Sequence, residues 1–477
     1  MPDGEDVAIT SATEDSRRVG PGAVFFAVHG LRSDGHAFAE VAAKAGAVAI
    51  VGARSGVKTW AGIPYFCAAS PRRVLGEVAH ALAGHPSRTM TVIGVTGTNG
   101  KTSTVLLARQ ILETNGYQAS GFGTLGSIVG EQAEPMKHTT PFGEDMVRLF
   151  VRARDAGATH VVMEVSSHAI EQDRIAGIDF RVAAFTNLTQ DHLDYHENME
   201  EYRRAKLKLF EGIDGPGKFA VVNRDDPSAD VFIQASRVPC YTFGRLGDCR
   251  AADIRTEERT TVFTAQTLWG DTEVTLRMLG RHNVSNALCA MTIGCGMGLP
   301  VERVAEGVAA LKNVPGRFEH VDAGQPFRVI VDYAHTEGGL RNVLQAAREI
   351  CRGAVIVVFG CGGDRDKTKR PKMGKAAAEL ADFAILTSDN PRTEDPDQIL
   401  REVEVGMERA GRKRDKDYWV LRDRAEAIRR AIDRARPGDL VMIAGKGHED
   451  YQIIGTERIH FDDREAVRAA LANRQTR

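Results

Sequence analysis

TVIGVTGTNGKTSTVLLARQILE, residues 91–113, joins a β-branched run to a glycine-rich turn and then to apolar residues at helical spacing. Strand, loop and helix in that order build a phosphate cradle. Backbone N–H groups and the helix N-terminus hold oxyanions, a lysine reaches the outer phosphates and a hydroxyl approaches magnesium. The candidates are Gly97, Thr98, Asn99, Gly100, Lys101 and Thr102, with the helix expected from Thr102. The spelling departs from the usual one. A Walker A loop has a glycine, four residues, then Gly-Lys-Ser/Thr. Counting back from Gly100-Lys101-Thr102 puts Val95 where the first glycine belongs, between Gly94 and Gly97. The alternative is a glycine turn that only packs strand against helix.

Working outward, 477 residues exceed one ordinary domain, and about two to four are expected. Hydrophobic residues at 43% against 26% charged suit a soluble chain with a real core. A net charge of −2 gives no global field for nucleic acid or an anionic membrane, so an anionic ligand must be held by local groups. The acidic, polar start MPDGEDVAITSATEDSRR lacks the features of a signal peptide, and no apolar run approaches membrane-spanning length. Seven scattered cysteines without CxxC spacing argue against disulfides or zinc and for a reducing cytoplasm; those in GCGMG and FGCGG read as small buried residues.

Three segments emerge. Residues 1–88 mix short apolar runs, AVFFAV and AVAIVGA, with turn residues. Residues 89–314 hold the glycine loop and further strands at HVVMEVSS, VAAFTNL and FAVVN, then a β-rich patch over 250–280. Residues 315–477 alternate strands (RVIVDY, AVIVVFG, FAILTSD, YWVLRD, LVMIAGKG) with helices, the pattern of a parallel, doubly wound sheet. Such sheets bind ligands at their carboxyl edges.

Glu164 ends an apolar strand in EVSSH, a position suited to magnesium beside a phosphate loop; its other reading is a carboxylate paired with a nearby base. His192, in TNLTQDHLDYH, is either a metal ligand or part of a polar loop. In EYRRAKLKLF, Lys206 shares a helical stripe with Tyr202, Ala205, Leu209 and Phe210, while Lys208 points elsewhere. Spacing by itself favours a lysine whose amine reaches back to water. The sharper reading is a desolvated amine of lowered pKa, able to take up CO₂ as an anionic carbamate.

GTNGKT, EVSSH, TNLTQDHLDYH, AKLKLF, GRHNVSNAL, PGRFE, VDYAHT, FGCGGDRDKTKRP, SDNPRTEDP and AGKGHEDYQ, in this order, resemble the Mur ligase family, and within it the enzymes that complete the UDP-N-acetylmuramoyl tripeptide of peptidoglycan. GTNGKT is that family's form of the loop. The resemblance implies three α/β domains: a small mixed uridine-binding domain (1–88), a central P-loop ATPase domain (89–314) and a C-terminal Rossmann-like, amino-acid-binding domain (315–477). It implies an ATP-dependent ligase acting through an acyl phosphate, with Lys101, Lys206 and His192 catalytic. Thr102, Glu164, His192 and carbamylated Lys206 would hold two Mg²⁺, and Asn283, Arg317 and Asp332 would contact ATP. UDP-MurNAc-L-Ala-D-Glu is matched to Ser16, Leu31, Arg32, Ser33, His138, Thr139, Thr140, Ser166, Gln172 and Arg174; His138 stands where asparagine is common. A monomer in the bacterial cytoplasm is implied, with no nucleic acid or membrane partner.

DNPR follows the strand FAILTS, so Arg392 sits over the cleft with a planar fork for a carboxylate. In the family that motif goes with meso-diaminopimelate, whose second carboxylate lysine lacks. Asp389, Asn390, Pro391, Arg392, Gly445, Glu449 and Arg365 would bind it. The rest of DRDKTKRPK reads as a solvated charge run. The alternatives are a lysine-adding relative, folylpolyglutamate synthase, or a catalytically dead nucleotide-binding module.

Overall fold

The structure, a computed structural model, describes residues 8–30 and 33–475. It has three α/β units, each built on its own sheet. The N-terminal sheet carries Ser11–Thr13, Ala23–Ala27, Ala47–Gly52, Ile63–Cys67 and Thr59–Trp60 in that spatial order, parallel except for the last short pairing.

The central sheet is the largest. Its parallel middle runs Cys240–Phe243, Phe219–Asn223, Phe180–Phe185, Thr91–Thr96, His160–Glu164, Ala119–Gly123. Further strands extend both ends: Cys249–Thr256, parallel to its neighbour Cys240–Phe243, then Thr261–Thr267 and Gly270–Leu276 antiparallel on one side, and Gly126–Val129 and Gln132–Glu134 antiparallel on the other. Side chains alternate across the strands, as two covered faces require. Ile93, Val95, Val182, Ala184 and Val221 enter the core with helices Lys101–Thr114 and Arg281–Gly296. Val92, Ala183, Phe185, Ala220 and Val222 pack on the opposite face with Phe150, Phe210 and Phe232.

The C-terminal sheet runs Glu319–His320, Arg328–Asp332, Leu440–Ala444, Val355–Phe359, Phe383–Leu386, Tyr418–Val420, parallel apart from the first strand. Two apolar clusters cover its faces, giving the doubly wound arrangement expected from the strand–helix alternation. The cysteines of GCGMG and FGCGG, Cys295 and Cys361, are buried and free. Among the described residues no helix is long and apolar enough to cross a membrane.

These topologies set the site. The parallel central strands Thr91–Thr96, His160–Glu164 and Phe180–Phe185 end at one edge, followed by Gly97, Val165 and Thr186. The parallel C-terminal strands end together before Tyr333, Gly360, Thr387 and Gly445. Hydrogen bonds from Arg317 to Thr102 and from Gln190 to Asp366 join the two edges.

Candidate active site

Val95 is still a buried strand residue, paired with Glu164 and Ala184, so the turn begins later than in a Walker loop. The glycines are placed by what they pack on. At Gly97 (φ +146°) a Cβ would lie 1.9 Å from Thr186 Oγ1, and at Gly100 (φ +87°) 2.3 Å from Asn286 Oδ1. The loop is clamped from the neighbouring strand end. Thr98 N–H donates to Asn187 O and Asn99 N–H to Asn187 Oδ1, while Asn187 Nδ2 and Thr186 Oγ1 donate to Asn99 O. The helix starts at Lys101, and no side chain caps its N-terminus. An uncapped helix start with its dipole is suited to an oxyanion.

Lys101 folds over the loop, its amine donating to Gly97 O at 2.8 Å and Thr98 O at 2.9 Å. Thr102 Oγ1 donates to Glu164 Oε1 at 2.9 Å and accepts from Arg317 Nη2 at 3.0 Å. Glu164 also accepts from Thr124 N and Thr124 Oγ1. Asp332 accepts from Phe318 N and Ala334 N, both at 2.7 Å, which fixes the turn carrying Arg317; burial pushes this carboxyl above its ordinary value. Asn283 is buried and donates to Leu279 O, while its Oδ1 accepts from Asn286; Asn286, not Asn283, abuts the loop at Gly100.

The buried residues of helix Met199–Glu211 are Tyr202, Ala205, Lys206, Leu209 and Phe210, the stripe expected from spacing. The lysine does not snorkel. Lys206 is 1% exposed, and its amine donates to Gly97 O at 3.1 Å and lies 4.3 Å from the Tyr202 ring centre. Burial, with Lys101 alongside, holds that amine well below the ordinary lysine value. Lys208 faces outward and pairs with Glu171. His192 has a left-handed backbone (φ +56°), and its ring packs edge-on to His168 with centres 4.7 Å apart. Burial lowers its pKa to about 3, so the imidazole is neutral. Among the described residues no group of three or more His, Cys, Asp and Glu side chains is arranged to hold a metal ion. The Thr102 and Glu164 oxygens are nonetheless hard donors that fit one magnesium ion completed by phosphate and water. Burial moves the His192 imidazole and the Lys206 amine towards the neutral forms that ligation and carbamate formation need.

At the C-terminal sheet edge, Asp389, Asn390 and Pro391 are buried, and Arg392 follows with φ +51°. Lys446 contacts Asp389 at 3.2 Å, Asn390 Oδ1 at 3.1 Å and Glu449 at 3.6 Å. Asn390 Nδ2 donates to Glu449 Oε2 at 3.0 Å, and burial with Asp389 nearby raises the Glu449 pKa. Gly445 (φ +122°) passes close to Asp389. Arg392 donates to the carbonyls of Gly363 and Asn390, and Arg365 to that of Asp364; neither pairs with a carboxylate among the described residues. Gly362 lies against both side chains: a Cβ there would meet Arg392 Nη1 at 2.9 Å and the Arg365 stem, at Cγ, at 3.8 Å. Arg392 is held below its ordinary pKa by burial and by Arg365.

The sequence matches three family profiles in chain order: "Mur ligase family, catalytic domain" over 8–82, "Mur ligase middle domain" over 95–294 and "Mur ligase, glutamate ligase domain" over 316–447. The chain belongs to the Mur ligase family. Among its relatives is a protein of Syntrophomonas wolfei subsp. wolfei named UDP-N-acetylmuramoyl-L-alanyl-D-glutamate--2,6-diaminopimelate ligase, 44% identical over 98% of this chain and 95% of the relative. A protein of the same name from Geobacillus thermodenitrificans is 45% identical over 98% and 96%. A solved structure bearing that name is 32% identical with a TM-score of 0.68, covering 98% of this chain and 95% of the other. The Thermotoga maritima MurF ligase in complex with ADP shares the fold at 21% identity and a TM-score of 0.65, over 92% and 95%.

In this Mur ligase the residues matched to the UDP-sugar spread over several elements. Ser16 opens a short 3-10 turn after Asp15, and Ser33 is exposed; Leu31 and Arg32 lie outside the described residues. His138 is exposed against Phe142. Thr139 reaches Thr124 Oγ1 at 3.2 Å. The buried Thr140 hydroxyl donates to Glu164 O and accepts from Ser166 N, so it ties together the strand end that carries Glu164. Ser166 caps the next helix through Ala169 N. Gln172 accepts from Arg174, whose guanidinium also donates to Thr140 O and lies 3.9 Å over the Phe142 ring.

The charge run is solvated only in part. Arg370 is fully buried, donating to Glu394 and Glu402, and Lys369 is 4% exposed, which corrects the solvated reading for these two; Arg365 is on the surface. Residues not singled out from sequence also converge: Asn187, Asn286 and Thr186 on the loop, Lys446 among the acids, and Asp191 beside His192. Most were signalled only by their place in polar strand-end tracts, and Asn286 only as a polar residue within helix Arg281–Gly296, because their partners are distant in sequence.

Proposed function

We propose that this Mur ligase uses ATP to join meso-diaminopimelate to UDP-MurNAc-L-Ala-D-Glu. The observation that carries the reading is the pair Arg392 and Arg365, two guanidinium groups without carboxylate partners among the described residues, set beside the Lys446–Glu449–Asp389 group at the same strand ends. A substrate with a carboxylate and an ammonium at its far end satisfies both: Arg392 and Arg365 take the carboxylate, and Glu449 and Asp389 take the ammonium. L-lysine would leave the arginines unpaired. The names of relatives at 44% and 45% identity support the same substrates.

In this reading residues 1–88 bind the uridine end, 89–314 ATP, and 315–477 the amino acid. Ser16, Leu31, Arg32 and Ser33 would hold the uridine diphosphate, and His138, Thr139, Ser166, Gln172 and Arg174 the sugar-peptide, with Thr140 positioning them. Lys101 exchanges its two loop carbonyls for phosphate oxygens, while Arg317, anchored by Asp332, closes over the nucleotide. The substrate carboxylate attacks the terminal phosphorus of ATP and ADP leaves; the incoming amine attacks the acyl carbon, its surplus proton passes to solvent, and phosphate leaves with the C–O bond electrons. Positioning and charge neutralisation supply most of the catalysis. Magnesium held by Thr102 and Glu164, and a second ion held by His192 and a Lys206 carbamate, would offset the charge of phosphates and carboxylate. The enzyme is proposed to act as a monomer in the bacterial cytoplasm.

The test is phosphate release with ATP, Mg²⁺ and UDP-MurNAc-L-Ala-D-Glu, comparing meso-diaminopimelate, L-lysine and no amino acid. Release with meso-diaminopimelate alone is expected. Preference for lysine would overturn the arginine argument, and no release with either would overturn the ligase reading.

A further inference from the structure

Asp191 precedes His192 in the loop after strand Phe180–Phe185 and is 5% exposed. Its carboxylate meets His192 Nε2 at 3.4 Å within its own unit, and Lys369 Nζ at 3.4 Å and His335 Nε2 at 3.7 Å from the C-terminal unit. Lys369 is costly where it stands. It is 4% exposed and is the first residue of helix Lys369–Leu380, where the helix dipole disfavours a cation. Asp191 is the acid it pairs with among the described residues. The neighbouring residue reinforces the junction: Gln190 Nε2 donates to Asp366 Oδ2 at 3.0 Å and Thr368 Oγ1 at 2.6 Å.

The same loop is bound to the phosphate loop. Thr189 N–H donates to Thr98 Oγ1, Thr98 Oγ1 donates to Thr189 O, and Asn99 Nδ2 donates to Thr189 Oγ1. One segment therefore touches the nucleotide cradle through residues 186–189, presents His192, and docks on the C-terminal unit through 190–191.

We infer that Asp191 is a positioning residue: its pairing with Lys369 couples docking of the C-terminal unit to the placement of His192 and the phosphate loop. When the units are apart, Lys369 is left against a helix N-terminus without its acid, and the loop loses the anchor beside His192. This deepens the ligase reading above and rests on it for its kinetic arm. Gln190 and Asp191 act as one contact, so the effect belongs to the amide-forming step and not to substrate capture by residues 1–88.

The test uses the full chain with D191N, K369M, the double variant and K369R, all checked for wild-type melting. In turnover assays D191N is expected to lose at least 100-fold in kcat with the KM for UDP-MurNAc-L-Ala-D-Glu within threefold. K369R is expected to stay within fivefold of wild type, and the double variant to be no worse than D191N. In small-angle scattering with ATP and Mg²⁺, wild type and K369R are expected to be more compact than D191N and K369M. A D191N enzyme within threefold of wild type, multiplicative losses in the double variant, or equal compactness of all four would overturn the coupling. A wild-type chain without ligase activity would sink the functional reading, while the scattering comparison, which needs no turnover, would still decide the pair.

Discussion

Lys101 and Lys206 donate to the same oxygen, the carbonyl of Gly97, at 2.8 and 3.1 Å. One belongs to the helix of the phosphate loop and the other to a helix 109 residues beyond Gly97. Two amines on one neutral acceptor make an electropositive point that an anion would fill, and each makes protonation of the other harder. Lys206, wholly buried, takes most of that strain.

Lys206→Met separates stability from function. The folded-state pKa of Lys206 lies below its unfolded value, so at neutral pH folding works against proton uptake by the unfolded chain, and stability rises with pH towards the unfolded lysine value. Methionine removes that penalty at similar volume. In metal-free, bicarbonate-free buffer the central unit should melt about 2–4 °C higher, the response to ~1 kcal/mol in a domain of this size. Ligase activity should fall at least ~100-fold, with partial recovery of Lys206→Ala by a small added carboxylate. A lower melting temperature in calorimetry, or full activity, would contradict this.

Arg392→Met should act on one substrate only. A charge-assisted fork contributes about 1.5–3 kcal/mol per hydrogen bond, so kcat/KM for meso-diaminopimelate should drop ~10²-fold or more. Turnover with L-lysine, which has no second carboxylate, should not fall. Equal losses for both amino acids would show that Arg392 serves the fold and not selection.

Acid should weaken the fold before carboxylates protonate. Burial lowers His80, His160, His168, His282 and His448 to about 4 and His192 to about 3. Below pH 6.5 the unfolded chain binds these protons and the folded chain does not, so stability falls with pH until each folded value is reached. His80 is buried against Phe150, with Nδ1 lacking a partner among the described residues. His80→Leu should remove about 1.4 kcal/mol per pH unit from the dependence between pH 6 and 4.5. Denaturant titrations at several pH values measure the slope; an unchanged slope would contradict the assignment.

Arg424 and Asp463 form a fully buried two-bond ion pair, both contacts 2.7 Å, and Arg424 also donates to Ala444 O beside Gly445. Arg424→Met leaves a buried carboxylate unpaired and should cost about 3–5 kcal/mol. Arg424→Met with Asp463→Leu should recover much of that in chemical denaturation. An Arg424→Met protein as stable as wild type would place Asp463 in a wetter site than its burial indicates.

Much of the fold was legible from residues alone. The strands around TVIGVTG and FAVVN, the helix stripe of Lys206, and the alternation after Pro315 follow from periodicity within one element. The strands Gly126–Val129 and Gln132–Glu134 carried no such signal, being short, glycine-flanked and at a sheet edge. DRDKTKRPK was misread because a charge run shows nothing about which acids lie over it. Arg370 is buried by Glu394 and Glu402, which arrive from 24 and 32 residues away.

The sequence by itself determined which residues share a face and which ends of strands carry chemistry, because both are set by local backbone geometry. It determined that Lys206 lies on an apolar stripe, that a helix follows the glycine loop, and that Arg392 follows a strand. Only the tertiary structure decided what each side chain meets. That Lys206 never reaches water, that Asn286 packs against the loop at Gly100, and that Asp191 answers Lys369 from 178 residues away all depend on segments brought together by packing. Desolvation and charge pairing are properties of those encounters, and periodicity within one segment cannot encode them.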